Sequence, residues 1–91
     1  MTKTDWITLD YLELFCQRQS ILIGCRIGEE EVWISAFGTH PSGLTPNDIH
    51  EILSQTVHFE LRTALEEEVP LGSATTLTRE ELEQQIRRLM N

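Results

Sequence analysis

The side chains able to do chemistry are few, and their spacing limits what they can do together. His40, His50 and His58 are the only imidazoles of the chain, and Cys16 and Cys25 the only thiols. A metal held on a helix asks for ligands three or four residues apart, and one held in a loop commonly asks for Cys-x-x-Cys pairs. His50 and His58 fall on the helix expected from Pro46 to about Glu67, where their eight-residue separation is about 12 Å along the axis, too long for a single ion to bridge. No Cys, Asp or Glu is spaced to complete a zinc site with His40, and no histidine lies within four residues of either cysteine. Cys25 falls in an apolar run and Cys16 beside Phe15, where a thiol behaves as a small buried hydrophobe.

Nucleophilic catalysis needs Ser, Cys or Thr beside a base and an orienting acid, and such triads assemble in space rather than along the chain. His40, in the loop Gly38 to Leu44, is the one plausible base, and at such a position an imidazole is ordinarily solvated. A chain of 91 residues whose apolar stripes are all spent on a core has little volume left for a pocket. It contains no GxxxxGK[ST], no GxGxxG and no EF-hand loop. A non-enzymatic protein without metal or cofactor is therefore expected. The alternative of a small enzyme or ligand-binding protein would rest on His40, Cys25 and His58.

Fifteen acidic residues against seven basic ones give a net charge of -8, which repels phosphate backbones and anionic lipid. Arg87-Arg88 is the single basic pair, and no aromatic residues interleave with it, so direct binding of nucleic acid or membrane is not expected. The triplets Glu29-Glu30-Glu31 and Glu66-Glu67-Glu68 suggest a second alternative, an acidic inhibitor that occupies a basic nucleic-acid site on a partner. A solvated turn and a frayed helix end account for them more simply. No apolar run reaches the roughly 18 residues needed to span a bilayer, and the first residues lack a secretory signal, which suggests a cytoplasmic protein.

The elements that must position these groups read as one α+β domain over residues 1–91. Leu9, Leu12, Phe15 and Cys16 recur at helical spacing, with Thr8 or Asp10 as the cap. Ile21 to Ile27 and Val32 to Phe37 are rich in β-branched and aromatic residues about a turn at Gly28 to Glu31, and form a hairpin. Alternation puts Ile21, Ile23, Cys25 and Ile27 with Val32, Ile34 and Ala36 on one face, and Leu22, Gly24, Arg26, Trp33, Ser35 and Phe37 on the other.

Thr45-Pro46-Asn47-Asp48 opens a helix with a capping hydroxyl, a first-position proline and an early acid. Ile49, Ile52, Leu53, Val57, Leu61, Ala64 and Leu65 continue it as an apolar stripe to about Glu67, making it the long central helix. Pro70 and Gly72 end it, and Leu71 to Leu77 connects. Thr78 and Glu81 form a capping box before a last helix to about Met90, with the seam Leu82, Ile86 and Leu89. The fold expected is a β-hairpin packed against that long central helix, with an N-terminal and a C-terminal helix. Residues 6–9 or 69–77 have the composition to add a third short strand over the second face.

That arrangement leaves large apolar side chains without shelter. Leu22, Trp33 and Phe37 point away from the helices, Phe59 lies off the stripe of the long helix, and Leu82, Ile86 and Leu89 form a narrow seam suited to another helix. Unpaired strand edges and exposed apolar groups together mark protein contact. These seven residues are the expected partner-binding set, in a small acidic interaction module, an adaptor or regulator, for which a homodimer is one form the contact can take.

Overall fold

The computed structural model describes residues 5–64 and 70–90. Its elements are α1 (Leu9–Gln19), β1 (Ile21–Ile27), β2 (Glu30–Ser35), β3 (Gly38–His40), α2 (Pro46–Gln55), β4 (His58–Ala64), β5 (Pro70–Thr78) and α3 (Arg79–Met90). The strands form one antiparallel sheet in the order β3-β2-β1-β4-β5. The α+β class, the two terminal helices and the hairpin stand as expected. The long central helix does not.

Local chemistry explains the boundaries. The Thr8 side chain accepts the Tyr11 N–H at the start of α1, and Ser20, at φ 55°, closes its far end by donating its N–H to Cys16. A non-glycine residue in this left-handed region is unusual and carries a backbone cost. The hairpin turn is shorter than the spacing of polar residues suggests: Ile27 pairs with Glu30, leaving only Gly28 and Glu29 between the strands. Gly28, at φ 61°, takes the conformation that a tight turn demands and that a side chain resists. α2 begins at the Thr45–Asp48 capping box, with each residue's side chain bonded to the other's N–H. Thr78 and Glu81 repeat this device at the start of α3.

The expected 46–67 helix instead stops at Gln55, where Thr56 donates both its N–H and its hydroxyl to Ile52. From Val57 the chain runs on as β4, which pairs with β1 in the register Cys25↔Phe59, Ile23↔Leu61 and Ile21↔Thr63. Two periods compete in Val57 to Ala64. Val57, Leu61 and Ala64 fit a helix, yet Phe59, Leu61 and Thr63 alternate with His58, Glu60 and Arg62 as a strand requires. The helical choice would leave Phe59 off the stripe and the second edge of β1 unpaired. The strand buries Phe59 completely and satisfies β1 on both sides.

Residues 71–77, expected as a connector, belong to β5, which lies at the sheet's edge beside β4 rather than over its second face. Its register shifts between Leu61 and Thr63, near Gly72, whose φ is 69°. Such a bulge lets Pro, Gly and Ser enter a strand they would otherwise interrupt. Residues 6–9 add no strand. The helix end expected at Glu66 to Glu68 lies outside the described residues.

All three helices lie on one face of the sheet. Ile23, Cys25, Ile34 and Phe59 share that face by register and join Leu12, Phe15 and Cys16 of α1, Ile49 and Leu53 of α2, and Leu82 and Ile86 of α3 in a single core. Arg79 ties three elements together. Its guanidinium donates to the carbonyls of Leu53 and Thr56 at the end of α2 and sits 5.7 Å from the centre of the Phe59 ring. A cation at a helix C-terminus also offsets the negative end of the dipole.

Candidate functional site

The structure separates the side chains whose chemistry needs company. His40 on β3 and His58 on β4 face the helix-free side of the sheet but stand three strand spacings apart, about 14 Å. His50 is on α2, on the other side. Among the described residues no group of three or more His, Cys, Asp or Glu converges as a metal site would require. Both cysteines are free and buried. Burial pushes each thiol up to about 12, and for Cys25 the nearby Thr56 hydroxyl and Arg79 charge only partly oppose it. Thiols held protonated in this way are poor nucleophiles.

The helix-free face is clad by its own side chains. Gly24 sits at its centre, in the middle strand, and the Trp33 ring lies over it: a Cβ added there would be 2.8 Å from the ring. Arg26 and Glu31, a registered pair on β1 and β2, are joined by a salt bridge. The Arg26 hydrogen bond is the main reason the Glu31 carboxyl is held below its ordinary range, with the Trp33 indole a further donor. Arg62 bonds Glu60 at 3.3 Å and the Gly72 carbonyl at 3.0 Å, pinning β4 to the bulged end of β5. A shallow groove of about 260 Å³ runs over Gly24 between Arg26 and Glu31 on one side and His58 and Glu60 on the other.

The seven expected contact residues therefore divide. Leu22, only 2% exposed, is registered against Arg62 and is covered within the molecule. Phe59 is a core residue of a strand, not an outlier of a helix. Leu82 and Ile86 spend the seam of α3 on the protein's own core. The expected exposure of these four is corrected for different reasons: Leu22 is covered on the helix-free face, Phe59 enters the core because its segment is a strand beside β1, and Leu82 and Ile86 pack α3 against the sheet. Leu89 is half-buried against the core margin, and Trp33 is half-buried over Gly24.

Phe37 alone keeps the exposure expected of it, 82%. Its position differs from the expected strand end: it occupies the turn between β2 and β3. The turn is clamped from below by buried Ser35, whose hydroxyl accepts the Phe37 N–H at 3.1 Å and donates to the Gly38 carbonyl at 3.3 Å. Gly38, at φ 128°, completes a bend that a side chain would strain. Val57, 64% exposed between α2 and β4, is the other large apolar group left in solvent among the described residues. The polar signal of Ser35 was present in the chain, but nothing local marked it as the anchor of a turn.

Fold and surface together define a small α+β domain with one sheet face covered by helices and the other by a lattice of paired polar and aromatic side chains. No family model matches the chain, and no curated protein or solved structure is found to be similar to it. Among the described residues no helix is long and apolar enough to cross a membrane.

Proposed function

We propose that this protein is a small acidic, non-enzymatic interaction module, an adaptor or regulator in the cytoplasm, whose anchor is the β2–β3 turn carrying Phe37. The observation that carries the reading is an aromatic ring 82% exposed on a turn held by two hydrogen bonds to a buried serine, whose hydroxyl accepts one and donates the other. A phenylalanine on a floppy loop would lose both backbone and side-chain entropy on binding, whereas on a fixed turn only the ring's rotamers remain to be ordered. Contact energy concentrates in such aromatic anchors. Trp33 and His40, registered opposite one another beside the turn, extend the surface. Two free thiols suit a reducing compartment.

Self-association is one form of the contact. Light scattering over a range of concentrations should show a dimer that Phe37→Asp converts to monomer, if the partner is a second copy. If the partner is another protein, affinity capture from the native host should recover it with the wild-type chain and with Val57→Ala, but not with Phe37→Ala. Capture that survives Phe37→Ala, from a chain that is monomeric throughout, would remove the anchor from this role.

The acidic-inhibitor alternative loses support at the hairpin. Glu31 is neutralised by Arg26, which leaves a shorter run of free charge than the sequence suggests.

A further inference from the structure

We propose that the groove between the tip of the β1–β2 hairpin and α2 docks a basic, apolar segment of another protein. This groove encloses about 340 Å³ on the helix side of the sheet. Its apolar lining is Ile27, Leu44 and Ile52, all half-buried, of which Leu44 and Ile52 also pack on the margin of the core. Among the described residues, the ionisable side chains lining it are all carboxylates: Glu30, Asp48 and Glu51.

The convergence is built by two elements far apart in sequence. The register Ile27↔Glu30 turns Glu30 to the same face as Val32 and Ile34, where alternation otherwise places apolar residues. α2 supplies Asp48, Glu51 and Ile52 at spacings of three and one, one face of a helix. The carboxylates of Asp48 and Glu51 accept hydrogen bonds from neutral donors, the Thr45 N–H and the Gln55 amide. Their charge is therefore not cancelled, and among the described residues no Lys or Arg lines the groove.

An apolar floor ringed by uncompensated carboxylates selects an apolar side chain flanked by Lys or Arg. A second copy of this chain is a poor occupant. In a two-fold contact the same patch meets itself, so three carboxylates from each copy would face one another in a chain already at -8. The site is distinct from the Phe37 turn, which lies at the opposite end of β2.

The test uses the full chain and a fluorescein-labelled peptide, GRKLIRKG, followed by fluorescence anisotropy. Two control peptides accompany it, GRKSSRKG without the apolar pair and GEELIEEG with the charges reversed. The first peptide should bind, and the controls should not. Glu30→Lys with Glu51→Lys should weaken binding at least about tenfold, whereas Glu80→Lys with Glu83→Lys, the same charge change on α3, should cost no more than about threefold. Backbone amide shifts of the wild-type chain on adding peptide should centre on Ile27, Leu44 and Ile52, a readout that needs no variant to fold. Phe37→Ala should leave the affinity unchanged, so loss of the turn's role and loss of the groove's role are told apart. The proposal is overturned by equal losses in the two double variants, by tight binding of the serine peptide, by shifts centred elsewhere, or by no binding.

Discussion

A methyl group on residue 24 would lie 2.8 Å from a carbon of the Trp33 ring, closer than non-bonded carbons approach. Gly24→Ala must therefore lift the indole from the sheet, at a cost of about 1–3 kcal/mol. Urea unfolding followed by Trp33 fluorescence, in a Trp6→Phe background, should show a lower midpoint and a red-shifted native spectrum. An unchanged spectrum would mean the ring does not rest on Gly24. Arg79 is a second residue whose role is structural despite its charge. Arg79→Gln leaves the Leu53 and Thr56 carbonyls without their donor and should cost about 1–3 kcal/mol, with Arg79→Lys recovering only part because it lacks the planar fork. Phe59 and Phe37 make a matched pair. Phe59→Ala should destabilise by about 3–5 kcal/mol, and Phe37→Ala by no more than about 0.5 kcal/mol, since one ring is enclosed and the other is in water. Thermal unfolding of the two variants side by side decides it.

At the scale of elements, the helix starts were legible because capping is local chemistry. Thr8, Thr45 and Thr78 each bond an amide three residues ahead, a distance the chain itself sets. Thr45→Ala and Thr78→Ala should each cost about 1 kcal/mol, and the double variant about their sum, since the caps share no partner. A chemical denaturation series on the four proteins checks both size and additivity. Ser20 offers the opposite sign. Its φ of 55° suits glycine better than serine, so Ser20→Gly should stabilise by about 0.5–1 kcal/mol without moving the N–H bond to Cys16. What was not legible was the end of α2. Thr56 to Ala64 satisfies both periods, and the strand prevails because β1 needs a partner on its second edge, a demand arising some 35 residues earlier in the chain.

At the scale of the molecule, stability should be flat from about pH 5 to about pH 9 and fall on either side. On the acid side, Glu31 and Glu81 are held below the usual carboxylate range by the Arg26 and Thr78 hydrogen bonds. A depressed pKa contributes above its unfolded value and is lost as the pH falls through the folded one. Both groups lie at the surface, and Glu13, raised by burial and by Asp10, works in the opposite sense, so the net loss is small. On the alkaline side the thiols of Cys16 and Cys25 are raised from 9.0 to about 12 by burial. A raised pKa means the folded state resists ionisation, so its contribution is complete below about pH 9 and drains away as the pH climbs toward 12. The measurement is the urea midpoint against pH, with Cys16→Ala and Cys25→Ala flattening the alkaline limb. Thiol labelling at pH 8 should likewise proceed only as fast as the molecule opens, and prompt labelling of either cysteine would contradict its burial.

The sequence by itself determined the α+β class, the first hairpin with its inner and outer faces and three helix starts. All of these follow from interactions within a few residues: caps, turns and the alternation of side chains along a strand. Only the tertiary structure decided that residues 58–64 and 70–78 are strands, and that Leu22, Phe59, Leu82 and Ile86 are sheltered while Phe37 is not. Those outcomes depend on strand edges and helix faces that meet across long stretches of chain, where backbone groups must find partners and apolar groups must leave water together.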